Sequence, residues 1–344
     1  FADNGHDVKS GSVVMLDVSD GGVLVCASWP SFDLATYGEN YAELVKDPDK
    51  PLFNRALNGA FPFGSTAKPA VALAAFSKNE LTPSTHITCD RRYRYYEDYQ
   101  PTCMGRHGSI DVATALSKSC NVFFYDTGRR TGIDTINKFF NLFGLCQKTG
   151  VEIGESPGYL DSPEAKKNRG DIWTGGDTLR AAIGQTSNVT PIQLATYAMT
   201  LANDGVRYKT HLVHSVRSYD GLTDTVVQPE VVSRADLSKE AIDTVRKGMV
   251  EVVKSGTASR FFNKGNLPYT LAAKTGTAQI VEGKTDNGIF IAYGPVEKPE
   301  VAVAVVMEQG TSAASSEVAR QVLDAYFAGK TAGLAPTPPA QLLP

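Results

Sequence analysis

Ser65 and Lys68 stand three positions apart in Phe61-Pro62-Phe63-Gly64-Ser65-Thr66-Ala67-Lys68-Pro69. On a helix that spacing puts both side chains on one face. A serine hydroxyl is a poor nucleophile at neutral pH, and a lysine one turn away accepts its proton once burial or another cation depresses the lysine's pKa. Pro69 is tolerated only in a first helical turn, which fixes the register, and the helix N-terminus offers free N–H groups beside a developing oxyanion. Alone, the pair equally fits a capped surface helix. Ser119-Cys120-Asn121 adds a second hydroxyl, able to pass a proton to a leaving amine, and an amide able to orient a lysine and donate to a carbonyl. Lys274-Thr275-Gly276-Thr277 puts a cation and two hydroxyls in a strand pattern. Those groups suit a carboxylate, and Gly276 would let a ligand backbone come close. Lys254-Ser255-Gly256-Thr257 repeats the pattern but ends a helical stretch, where glycine is expected as a C-cap, so Lys274 is preferred.

Elements at both ends of the chain must bring these stretches together. Ser12 to Val18 and Val23 to Ser28 alternate apolar residues around a Ser19-Asp20-Gly21-Gly22 turn, which predicts a hairpin. Thr270 to Ile280, Gly288 to Tyr293 and Glu300 to Met307 read as three more strands, followed by a helix from Ala314 to Phe327. Helical spacing recurs at Pro69 to Ser77, Asp111 to Ser119, Thr135 to Phe143, Pro191 to Ala202 and Lys239 to Val253. The expected fold class is α+β: one antiparallel sheet built from the N- and C-terminal strands, covered by helices, with a mostly helical subdomain inserted. Leu334 to Pro344 carries four prolines and reads as an extended tail, leaving 1–333 as one domain. The 344 residues hold 34 basic and 37 acidic side chains, a net charge of −3 that speaks against a nucleic-acid-coating role. No apolar run approaches the roughly 18 residues that cross a bilayer. A start at Phe1 and a polar run through Ser10 suggest that any signal or anchor has been removed.

In order, S-x-x-K, S-x-N and K-T-G resemble the signature set of penicillin-binding proteins and class A β-lactamases. Further stretches resemble the elongation-type class B penicillin-binding proteins (penicillin-binding protein 2 and its relatives). These are Asn54-Arg55-Ala56, His107-Gly108, Phe123-Phe124-Tyr125, Gly184-Gln185, Thr190-Pro191-Ile192-Gln193-Leu194-Ala195 and Ala202-Asn203-Asp204-Gly205. The likeness runs from about Ser12 to Tyr326 and departs at Phe63, usually a second proline, and at Gly184-Gln185-Thr186, commonly G-Q-G. It implies a transpeptidase domain acting on peptidoglycan stem peptides that end in D-Ala-D-Ala, inhibited by β-lactams. Ser65, Lys68 and Ser119 would be catalytic, with Asn121, Lys274, Thr275, Gly276 and Thr277 binding substrate and backbone N–H groups of Ser65 and Thr277 holding the oxyanion. It also implies no catalytic cofactor and the outer face of the cell membrane, with contacts to other cell-wall synthesis proteins through an N-terminal region missing here. Rival readings are a serine β-lactamase, for which no class A glutamate motif is present, and a β-lactam-sensing receptor domain.

Cys89, Cys103, His107 and Cys120 offer three thiolates and an imidazole, a set that suits tetrahedral zinc. If Ser119 and Asn121 face the cleft, Cys120 faces away, so a metal there would tie segment 89–107 to the wall of the site. Some members of the resembled family carry a structural zinc near this place. A Cys89–Cys103 disulfide and unlinked thiols are the competing readings, and Asp90 or Asp98 could replace a cysteine. Cys26 and Cys146 read as core residues, His211 and His214 as surface histidines, Arg91 to Tyr96 as a solvated hairpin face and Trp173 as a cleft rim.

Overall fold

The computed structural model describes residues 8–263, 267–278 and 286–331, so the expected tail, Gln279 and Ile280 lie outside the described residues. A five-stranded antiparallel sheet forms from β1 (Ser10–Asp17), β2 (Val23–Trp29), β3 (Ala272–Ala278), β4 (Asn287–Gly294) and β5 (Val301–Glu308). Its order is β3-β4-β5-β1-β2, which places the N-terminal hairpin against the last strand: Ser10 pairs with Glu308 and Asp17 with Val301. Both faces are covered. Alternate side chains go opposite ways along a strand, so Val14, Leu16, Ala304 and Ile291 join the core on one face while Met15, Val303, Val305 and Phe290 join the core on the other.

Helices α1 (Lys68–Ser77), α2 (Val112–Ser117), α3 (Asn121–Thr131), α4 (Pro191–Ala202) and α5 (Lys239–Lys254) occupy the middle of the chain, and α6 (Ser312–Thr331) closes the second face. Every residue of α4 is buried, and its start is fixed by Pro191 in the first turn and by a reciprocal cap between Thr190 and Gln193. The amphipathic α5 begins at Ser238, whose hydroxyl accepts from the Ala241 N–H, a cap worth about 1 kcal/mol. Its buried side packs on α2 and β3, so α5 joins the stretch carrying Ser119 to the strand carrying Lys274. Among the described residues no helix is long and apolar enough to cross a membrane.

Some expectations are corrected. Cys26 is exposed, because β2 is an edge strand with little packed over it, and Cys146 is only half-buried. His211 is buried, with Nδ1 2.9 Å from the Val213 carbonyl and Nε2 3.8 Å from Asp20, whereas His214 is exposed. Tyr93 leaves the solvated face because its hydroxyl donates to Asp126 and accepts from Arg129. Trp173 is half-buried and donates to Thr178.

Candidate active site

Ser65 sits in a single 3₁₀ turn, Gly64–Ala67, that runs directly into α1. Gly64 has φ +52°, a conformation that side chains disfavour, and a Cβ there would collide with the Thr277 carbonyl. The Gly64 N–H donates to the Gly184 carbonyl at 2.9 Å. Glycine at 64 therefore lets the serine turn lie against β3 and the loop that follows Ala181. Gly276 serves the same approach from the strand side, for a Cβ on it would stand 2.9 Å from Thr66 Cγ2 and 3.0 Å from the Phe63 carbonyl. On this side of the strand the space is filled by the serine turn.

Lys68 opens α1, is fully buried, and extends to the turn between α2 and α3. Its Nζ lies 2.8 Å from the Ser119 carbonyl, 3.1 Å from Ser119 Oγ and 2.7 Å from Asn121 Oδ1, with the Phe124 ring 5.6 Å away. Burial pulls its pKa from 10.5 down to about 7, against the opposing pull of Cys120 and Cys103. Lys274 Nζ reaches the same hydroxyl from β3, 3.0 Å from Ser119 Oγ and 3.0 Å from the Thr275 carbonyl. It too is fully buried, and burial followed by the charge of Lys68 holds its pKa well below the ordinary value. Two fully buried amines thus share one serine hydroxyl, and at this separation both cannot be cheaply charged. Ser119 has φ +54°, which aims Oγ back between them.

β3 is an edge strand. Gln185 Nε2 donates to the Thr277 carbonyl at 3.3 Å, so this carbonyl faces away from β4. In an antiparallel strand a residue's N–H and C=O point the same way, which sends the Thr277 N–H outward beside the Ser65 turn. Thr277 is exposed, whereas Thr275 is buried with its hydroxyl 2.6 Å from that of Thr257. Thr257 belongs to Lys254-Ser255-Gly256-Thr257. Lys254 does end α5, as expected, yet the residues after it buttress β3. Neither Gln185 nor Thr257 carries a local signal of that role, since both contacts join distant parts of the chain.

Behind Ser119 and Asn121, Cys120 turns the other way and caps α3, its sulfur accepting from the Phe123 N–H at 3.4 Å. The ligand atoms of Cys89, Cys103, His107 and Cys120 all lie within 4.8 Å of one another. Cys103 Sγ is 4.0 Å from Cys120 Sγ and 3.7 Å from His107 Nδ1. A tetrahedron with bonds of about 2.3 Å has edges of roughly 3.7 Å, so the donor set fits zinc. The sulfur–sulfur contact with Cys120 and backbone N–H groups, that of Asn121 among them, hold Cys103 below the ordinary thiol range, while the same contact and burial push Cys120 up. All five cysteines are free, which excludes the Cys89–Cys103 disulfide. Asp90 pairs with Arg94 and Asp98 is exposed, and neither belongs to the cluster.

A family model described as the penicillin-binding protein transpeptidase domain matches residues 11–328. The chain is 32% identical over 352 residues to the peptidoglycan D,D-transpeptidase MrdA of Escherichia coli K12, covering 92% of this chain and 54% of that protein. It therefore spans about half the length of that relative. Among solved structures, Pseudomonas aeruginosa PBP2 in complex with WCK 5153 superposes with a TM-score of 0.82 at 33% identity, over 92% of this chain and 74% of that one. The complex between PBP2 and MreC from Helicobacter pylori gives 0.80 at 27%, over 94% and 61%.

Proposed function

The chain belongs to the penicillin-binding protein transpeptidase family, and on that premise we propose that it is a serine D,D-transpeptidase, crosslinking peptidoglycan stem peptides that end in D-Ala-D-Ala and acylated by β-lactams. The observation that carries this reading is the meeting of Lys68 and Lys274 on one hydroxyl, Ser119, beside Asn121 and the Ser65 turn. Ser65 Oγ attacks the carbonyl of the penultimate D-Ala, and Lys68, its pKa lowered by burial to about 7, takes its proton. The oxyanion rests on the N–H groups of Ser65 and Thr277. As the C–N bond breaks, Ser119 gives a proton to the departing amine and recovers one from Lys68. The amine of a second stem peptide then attacks the acyl-enzyme, and its proton leaves through the same groups as Ser65 is released.

Asn121 holds the donor peptide, while Lys274 and the Thr275 and Thr277 hydroxyls bind its terminal carboxylate. Gly276 contributes by letting this substrate strand lie on the serine turn. Cys89, Cys103, His107 and Cys120 would hold a structural zinc, which supplies a crosslink behind the site and enters no chemical step. The transpeptidase domain takes in the matched residues 11–328 and works at the outer face of the cell membrane. Contacts with other cell-wall proteins belong to the same reading, in line with the complex of the Helicobacter pylori relative with MreC.

A fluorescent penicillin tests the reading. A long-lived adduct lost in Ser65→Ala supports it, an adduct that survives Ser65→Ala contradicts it, and rapid turnover points to hydrolysis instead. Crosslinking of lipid-linked strands then separates an enzyme from a receptor domain.

A further inference from the structure

An open pocket of about 650 Å³ lies outside the site around Ser65, lined by Asp134, Asn137 and Lys138 of the helix Ile133–Leu142, and by Gln147, Arg207 and Ser233. Arg207 is only 5% exposed. Its Nη2 donates to Gln147 Oε1 at 3.3 Å, but its Nε–H is buried without an acceptor and it forms no ion pair among the described residues. A guanidinium buried without a counter-charge costs several kcal/mol, and burial accordingly draws its pKa down. The chain makes room for it: a Cβ on Gly144, at φ +82°, would stand 2.9 Å from both Cδ and Nη1 of Arg207. Asn137 is 8% exposed, and although its Nδ2 donates to the Asp161 carbonyl at 3.0 Å, its Oδ1 has no donor.

One pocket therefore holds a buried donor lacking an acceptor and a buried acceptor lacking a donor, with the exposed charges of Lys138 and Asp134 beside them. Buried polar groups are nearly always satisfied, and those that are not call for a missing partner. We infer that this pocket binds a small ligand carrying both a carboxylate and an amine, an amino acid or a short peptide. The carboxylate meets Arg207 and Lys138, and the amine meets Asn137 Oδ1 and Asp134. A volume of about 650 Å³ is in the range of ligand pockets and exceeds what one amino acid needs, which favours the peptide.

The test titrates the 344-residue chain with glycine, diglycine, acetate and inorganic phosphate at fixed ionic strength, following the Arg207 Nε–H resonance and the melting temperature. Diglycine or glycine should move the resonance saturably and raise Tm with concentration, with acetate about tenfold weaker because half the contacts go unmade. Arg207→Gln and Asn137→Ala should remove the response and Lys274→Gln should keep it. Lys138→Glu, on an exposed position that folding tolerates, should weaken binding even if Arg207→Gln does not fold. An equal response to phosphate overturns the amine half of the assignment. No saturable response, or one that survives Lys138→Glu unchanged, overturns the site.

Discussion

Ser119-Cys120-Asn121 has two sides, and they obey opposite rules. On one side Ser119 and Asn121 meet two fully buried lysines that no carboxylate neutralises among the described residues. On the other, Cys120 completes a set of four donor residues and itself caps a helix. The first side keeps an amine from being fully charged, which costs stability and yields a base. The second satisfies its groups and yields rigidity. A three-residue turn serves both because successive side chains leave it in opposite directions, so the Cys/His cluster backs the Ser119 hydroxyl without touching it.

The largest effect should separate the sides most cleanly. Lys68→Met, close to isosteric, should slow acylation by a β-lactam by about 10³-fold or more. Zinc content and Tm should be kept or improved, since removing a strained buried amine relieves its desolvation. A comparable loss of fold would show that Lys68 is structural. Cys103→Ser should do the reverse: zinc per chain, measured by metal analysis, should drop towards zero and stability should fall by about 2–5 kcal/mol, read from denaturant melts. Acylation by the molecules still folded should slow far less than in Lys68→Met.

The pH dependence is smaller and sharper. Burial has lowered the pKa of Lys68 to about 7, so the uncharged amine is lost as pH falls through that value. Acylation should then fall about tenfold per pH unit below it and level off above it. The same depression makes the folded state bind fewer protons than the unfolded chain between about 7 and 10.5, so stability should rise with pH across that window. A flat acylation profile from pH 5 to 8 would remove Lys68 as the base. The smallest effect belongs to Gln185→Ala, which frees the Thr277 carbonyl. One neutral hydrogen bond is worth about 1 kcal/mol, so acylation should change less than about tenfold and Tm hardly at all.

Much of this was legible because local chemistry agreed with the fold. Thr190, Pro191 and Gln193 mark the start of α4 without reference to anything distant, and the glycine turn after Ser19 fixes the first hairpin. Three spaced motifs and the cysteine cluster could be named from residue types alone. What stayed hidden depends on which surfaces meet. Gly276 also makes room for Thr66, a close approach that no local pattern announces. Thr257 looked like the end of a helix and holds Thr275. Cys26 alternates like a core residue, but its strand lies at the sheet edge. Strand pattern reports which side chains share a face, and packing decides whether that face is covered.

Peptide mass mapping after penicillin treatment bears most directly on the catalytic claim. The penicilloyl mass should sit on the peptide containing Ser65, at one per chain, and should be absent from the peptide containing Ser119. Attachment to Ser119 or elsewhere, or no attachment by folded protein, would contradict it.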